Sequence, residues 1–230
     1  ACINHLNRDY SEKLFIEKIL EVLDNGGHVL IPSFAVSRAQ EILCMLYEHN
    51  FPYPIYLDGM ARVVSEIMLK YPSYFKDYSL LEKALENTYW IKGKKDRKEI
   101  FSEPSVIVSP AGMLKGGAAI YYIDKIVKNE KNGIFFVGYL AQNTPGREIL
   151  EKKVIQFQNN VEKIKAKVDW FSFSSHADMD GLTKFIKETE PENLILIHGE
   201  YYRMLEFSKI IKEEIGCNVY LPKNKDEFTF

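Results

Sequence analysis

Two histidines at the ends of apolar runs are the residues best suited to chemistry in this sequence. His176 follows Val168–Phe173 within Ser174-Ser175-His176-Ala177-Asp178, and His198 follows Asn193–Ile197 and precedes Gly199-Glu200. A neutral imidazole can ligate zinc, and a protonated one can donate to a leaving oxygen. One histidine at a strand end is more often a hydrogen-bonded turn residue than a catalyst. Two such ends within 22 residues make acid–base or metal chemistry a serious reading.

The elements between them decide whether they can meet. Val168–Phe173 is β-branched and aromatic, Leu182, Phe185 and Ile186 form an i, i+3, i+4 stripe, and Asn193–Ile197 is a short buried-strand run. A strand–helix–strand unit of this length predicts a right-handed crossover with adjacent parallel strands. Their carboxyl ends then share one sheet edge, where open α/β sheets bind ligands. His176 and His198 are expected to face one crevice.

Upstream, strands and helices alternate. Tyr10–Leu23 reads as a helix with Ser11 as its N-cap and Asn25-Gly26-Gly27 as its stop. Strands are expected at His28–Ile31, Pro54–Leu57, Thr88–Ile91, Ser105–Val108 and Gly133–Val137. Helices are expected at Val36–His49, Met60–Tyr71, Leu80–Glu86 and Ala118–Lys128. The alternation predicts an α/β fold with a mostly parallel sheet and helices on both faces. Lys92–Lys98 reads as a charged, solvated turn. From Val154 the texture changes to alternating apolar and polar residues (Val154–Phe157, Val161–Lys167), as in antiparallel strands with one wet face. A domain boundary is expected there, between residues 154 and 155. Tyr201–Ile215 closes the chain as a helix, followed by a strand at Asn218–Leu221.

Three expected strand ends carry small, polar or basic residues suited to phosphate. They are Ser33 to Arg38, Ser109 to Gly112 with Gly116 and Gly117, and Gly138 to Thr144 and Arg147. Unpaired N–H groups at helix starts favour anions, glycine permits close approach, and arginine offers a fork that matches phosphate oxygens. Three such turns on one edge suit a polynucleotide better than a mononucleotide. No GxGxxG follows the first strand and no P-loop lysine is present, which argues against a dinucleotide or ATP site.

Composition sets the outer limits. The 230 residues are 46% hydrophobic and 27% charged with a net charge of −2, so bulk charge alone does not hold this protein on nucleic acid. Three scattered cysteines, Cys2, Cys44 and Cys217, form no CxxC pair; neither a disulfide framework nor a zinc knuckle is indicated. Cys44 reads as a small core residue. No long apolar run and no signal peptide appear, and the expectation is a cytoplasmic protein with no membrane partner.

With these residues assembled, the sequence resembles the β-CASP branch of the metallo-β-lactamase superfamily, the nucleases of the cleavage-and-polyadenylation-factor and RNase J type. The resemblance rests on GGHVLIPSFAVSRAQEIL, PIYLDGMA, VIVSPAGMLKGG, GYLAQNTPGREI, FSSHAD and LILIHGE, in the family's order. It implies a β-CASP domain over residues 1–154 and, over 155–230, the C-terminal part of a metallo-β-lactamase αββα domain. It implies zinc-dependent hydrolysis of RNA phosphodiesters by a hydroxide held between two zinc ions. His176 resembles the histidine beside the leaving oxygen, the general acid. Asp178 resembles its orienting acid, and His198 a zinc ligand. Ser33, Arg38, Ser109, Gly112, Thr144 and Arg147 are the expected RNA contacts. His5 matches a histidine common in the segment after the family's acidic motif.

The main HxHxDH zinc motif is not in the sequence, so the resemblance implies that the N-terminal metallo-β-lactamase half is missing and that this fragment alone is inactive. Implied partners are that half, single-stranded RNA and, optionally, a second copy in a homodimer. The alternatives are a catalytically silent RNA-binding subunit of a cleavage complex and a DNA-acting β-CASP nuclease.

Overall fold

The computed structural model describes residues 4–157 and 160–229; Cys2 and Phe230 lie outside the described residues. By packing, the chain divides into two compact units, Arg8–Phe173 and Ala1–Asn7 with Ser174–Phe230.

The larger unit opens with α1 (Arg8–Asp24) and β1 (Val29–Ser33), then α2 (Arg38–Glu48), β2 (Ile55–Leu57), α3 (Met60–Met68), α4 (Tyr78–Glu86) and β3 (Tyr89–Trp90). It continues through α5 (Lys94–Glu99), β4 (Val106–Pro110), α6 (Ala119–Ile126), β5 (Gly133–Phe136) and α7 (Pro145–Lys152). It ends with β6 (Val154–Phe157), β7 (Asn160–Lys163) and β8 (Lys167–Trp170). Six strands form one parallel sheet in the order β3-β2-β4-β1-β5-β8. The expected α/β architecture is therefore present.

Strand periodicity divides the core in two. Val29, Ile31, Val106 and Val108 face a cluster with Phe15 and Ile19 of α1 and Ile42, Leu43 and Leu46 of α2. Leu30, Ile107 and Ile134, one residue out of phase, face Tyr122, Ile123 and Ile126 of α6 and Ile149 of α7. Central strands covered on both faces carry continuous apolar runs, as β1 and β4 do. Phe15 is fully buried, with its ring centroid 4.9 Å from that of Phe171 and 5.2 Å from that of Phe173. Burial of such a side chain is worth about 1.5–3 kcal/mol.

Several expectations need correction. Ser11 is not an N-cap: α1 starts earlier, at Arg8, and Ser11 is buried inside it. The lysine-rich turn is a short helix, α5, whose Arg97 is tied into the protein. The texture change near residue 154 is a hairpin, with β6 and β7 antiparallel and in register from Val154↔Lys163 to Phe157↔Asn160. Hairpin and β8 both stay with the larger unit.

The smaller unit contains α8 (Met179–Thr189), β9 (Asn193–Ile195), α9 (Tyr201–Ile215) and β10 (Asn218–Tyr220). Ile186, Phe207, Ile211 and Val219 form its core. Here the largest correction falls. β8 pairs with β5, whereas β9 pairs with β10 in a separate parallel sheet. The crossover therefore runs β9–α9–β10, and the expected β8–β9 pair is not among the pairings of the described residues.

Candidate nucleic-acid interface and active-site histidines

In a parallel sheet all carboxyl ends lie on one edge. The strand order puts β4, β1 and β5 side by side, so the three anion-suited turns leave from consecutive strands. They are far apart in sequence because β4 inserts between β1 and β2.

Glycines join these turns to one another. A Cβ at Gly112 would lie 3.4 Å from the carbonyl carbon of Ser33, in ordinary contact. At Gly138 it would meet the Phe34 ring at 3.0 Å, and at Gly146 the Met113 carbonyl oxygen at 3.2 Å. Each pair of turns thus meets at a glycine. Sequence reasoning assigned this freedom to a ligand; packing between turns also uses it.

The polar groups differ in availability. Ser33 is buried and its hydroxyl has no hydrogen-bond partner among the described residues. The Ser109 hydroxyl is buried and donates to the Pro110 carbonyl at 3.2 Å. Thr144 is fully buried: its hydroxyl donates to the Ala141 carbonyl at 2.7 Å and caps α7 by accepting from the Arg147 N–H at 3.4 Å. Its side chain holds the turn and is already engaged.

Both arginines are paired on their own helices. Arg38 donates to Glu41 at 2.5 Å, and Glu41 also takes Arg8 at 2.8 Å. Burial lowers the Arg38 pKa from its usual value, against the pull of Glu41. Arg147 donates to Glu151 at 2.6 Å. A phosphate at either arginine must compete with a carboxylate.

Sequence reasoning passed over one group at this edge. Asp58, directly after β2, is buried and accepts from Arg97 at 2.7 and 3.2 Å, from the Tyr122 hydroxyl at 2.7 Å and from the Gly59 N–H at 2.5 Å. The bond to Asp58 raises the Arg97 pKa, while burial and then that bond raise the Tyr122 hydroxyl. A charged residue directly after an apolar strand was the available signal.

The histidines belong to the smaller unit. His176 is exposed, and its backbone N–H donates to the Ser174 hydroxyl at 3.1 Å. Asp178 caps α8, accepting from the Gly181 N–H at 2.9 Å, and its other oxygen accepts from the His5 N–H at 3.1 Å. These backbone donors, with the Gly181 bond first, lower its pKa. The described partners of this carboxylate are thus backbone N–H groups in place of the expected His176 ring. Asn4 accepts from the Asp180 N–H at 3.2 Å, so residues 4–5 dock onto the start of α8. His198 is exposed, in the left-handed region at φ 62°. The β8–β9 crossover from which the shared crevice was inferred is absent among the described residues, while both histidines belong to the smaller unit.

Comparison with known proteins decides the family. Residues 39–149 match the Beta-Casp domain, and residues 161–222 match the Zn-dependent metallo-hydrolase RNA specificity domain. The chain belongs to the β-CASP family. This β-CASP chain is 43% identical to RNase aCSPSF2 of Saccharolobus solfataricus, over 98% of its own length and 46% of the relative's. It is 42% identical to Probable RNase MJ4 of Methanocaldococcus jannaschii, over 85% and 47%, and 32% identical to Integrator complex subunit 11 of Gallus gallus, over 95% and 38%. The chain spans about half or less of the length of these relatives.

Among the described residues no three His, Cys, Asp or Glu side chains lie together to hold an ion, whereas zinc takes three or four protein ligands. His198 does not make a zinc site by itself. No helix among the described residues is long and apolar enough to cross a membrane.

Proposed function

We propose that this β-CASP chain holds single-stranded RNA for a zinc-dependent phosphodiester hydrolase of the RNA-processing or RNA-decay type. The observation that carries the reading is the strand order, which sets three anion-suited turns on consecutive strands. A chain of phosphates needs such a row, and a mononucleotide does not. Ser33, whose buried hydroxyl is unpartnered among the described residues, and Gly112 lie where the β1 and β4 turns meet. Arg38 and Arg147 supply charge, while Ser109 and Thr144 hold the turns that present them. By family pattern we assign residues 1–154 to the β-CASP domain and 155–230 to the end of the metallo-β-lactamase domain, although the segment up to Phe173 packs with the larger unit.

In this reading His176 is the proton donor to the leaving oxygen and Asp178 shapes its turn by capping α8. His198 is one zinc ligand, the remaining ligands coming from the other half of the relatives' length. The test has two arms. The purified 230-residue chain should bind single-stranded RNA without cutting it; zinc-dependent cleavage by this chain alone overturns the division of labour. In a form extended to the relatives' length, His176→Ala should slow cleavage by roughly 10²–10⁴-fold and leave zinc content unchanged. His198→Ala should lose zinc together with activity. The reverse pattern in metal analysis by mass spectrometry exchanges the two roles.

A further inference from the structure

Lys92, Lys94, Lys95 and Lys98 are all exposed, as a solvated charge run would be. Two observations separate this segment from an ordinary polar surface. The first is that it is fastened. Arg97, in the middle of α5, donates twice to Asp58, whose side chain is only 1% exposed. Burying a carboxylate is costly unless it is paired, and here the pair fixes a short lysine-rich helix to the end of β2. The second is where the fastening lies. β3 is parallel to β2 and ends at Trp90, so the chain enters Lys92 at the carboxyl edge of the sheet. β2 borders β4, the first of the three strands whose turns suit phosphate.

The charge is only partly balanced locally: residues 92–99 hold four lysines and Arg97 against Asp96 and Glu99, and Asp96 also feels the Lys92 charge. Asp96 is engaged by the N–H groups of Lys92 and Gly93, and Glu99 lies 3.8 Å from Lys95. Lys92, Lys94 and Lys98 have no carboxylate partner among the described ion pairs, and Arg97 is neutralised by Asp58. Like charges on one short helix repel each other, and a polyanion relieves that repulsion.

We propose that Lys92, Lys94 and Lys98 form a further contact for the RNA backbone, held by the Arg97–Asp58 pair at the same sheet edge as the three turns. This rests on the RNA-binding reading and lengthens the bound strand past β2 to β3. Lysine heads bind phosphate as point charges, so the contact adds affinity without sequence preference. Arg97 and Asp58 are positioning residues that do not touch RNA themselves.

The test is binding of the 230-residue chain to fluorescently labelled single-stranded RNA, short and long, titrated between about 50 and 200 mM salt. The triple variant Lys92→Gln/Lys94→Gln/Lys98→Gln changes only exposed positions. On long RNA it should flatten the plot of log affinity against log salt by about 2, at ~0.7 per phosphate contact, and weaken binding about 100-fold near 0.1 M salt. Short RNA that fills only the three turns should be much less affected. Arg97→Met, which removes the fastening and retains every lysine, should lose part of the same slope. An unchanged slope in the triple variant, with normal binding by the parent chain, overturns this proposal and leaves the RNA reading standing. Failure of the parent chain to bind RNA at all overturns both.

Discussion

Removing either member of the Arg97–Asp58 pair should destabilise the larger unit, and the two costs should be unequal. Asp58 is 1% exposed at its side chain and Arg97 27%. In Arg97→Met the carboxylate stays buried and keeps only the Tyr122 hydroxyl and the Gly59 N–H as donors. Loss of one partner of a fully buried pair costs about 3–5 kcal/mol; partial exposure of Arg97 and the two remaining donors bring the expectation to about 2–4 kcal/mol. In Asp58→Asn the charge itself is removed, and the released guanidinium is exposed enough to turn towards water. The Tyr122 hydroxyl can turn to accept from the new amide, so the expected loss is about 1–2 kcal/mol. The double variant should cost less than the sum of the singles, since the second change removes a group already left unpaired. Urea unfolding followed by fluorescence reads this unit directly, because the chain's two tryptophans, Trp90 and Trp170, both lie within Arg8–Phe173. An Asp58→Asn loss as large as that of Arg97→Met would refute the reasoning, because it would mean that burial of the charge is not the dominant cost.

Arg38→Ala and Arg147→Ala should each weaken RNA binding alike across sequences and flatten the salt plot by no more than about 0.7, since each arginine must first leave its glutamate. Glu41→Gln should act oppositely and tighten binding, because it frees Arg38 while Arg8 stays paired with Glu12; weaker binding in this variant would remove Arg38 from the RNA contacts. Burial pushes the Cys44 thiol up to about 11, so at pH 8 its thiolate fraction is about 10⁻³, against roughly 0.2 for an ordinary thiol. Iodoacetamide should modify it at least tenfold more slowly in the folded than in the urea-unfolded chain, after allowing for the greater nucleophilicity of a high-pKa thiolate. The sign for stability follows: this contribution is fully present below the unfolded thiol value and is lost as pH rises towards 11.

What could be read in the sequence was local. Apolar spacing and glycine or proline stops located the strands of the main sheet and the helices around them other than α5 and α7, because periodicity is a property of neighbouring residues. What escaped reading depends on distant partners. Nothing in Val168–Trp170 says that β5 is its neighbour, and the general rule for a strand–helix–strand unit favoured β9. β9 instead completes its own crossover through α9 with β10. Arg97 sits among lysines, so composition marked it as solvated, while its partner Asp58 lies 39 residues away. Asp178 was legible as a polar residue before a helix, and its cap to Gly181 follows from that position. Its bond to His5, across 173 residues, has no local signature.

The same distinction between local and distant causes changes what the glycines of the three turns imply about RNA. Read along the chain, each glycine looks like room left for a phosphate. In the fold, Gly138 is occupied by the Phe34 ring, Gly146 by Met113 and Leu140, and Gly117, at φ 72°, by the Pro110 carbonyl. Space filled by protein is not open to a ligand, so the glycines define how closely the turns pack on one another. In the RNA-binding reading proposed above, recognition falls to basic side chains that can exchange a carboxylate for a phosphate, since the unpartnered Ser33 hydroxyl is itself buried. A surface of that kind binds in proportion to the number of phosphates it meets, and it reads backbone and not bases. In the same reading the β-CASP sheet edge supplies grip, and specificity for a cleavage position comes from elsewhere.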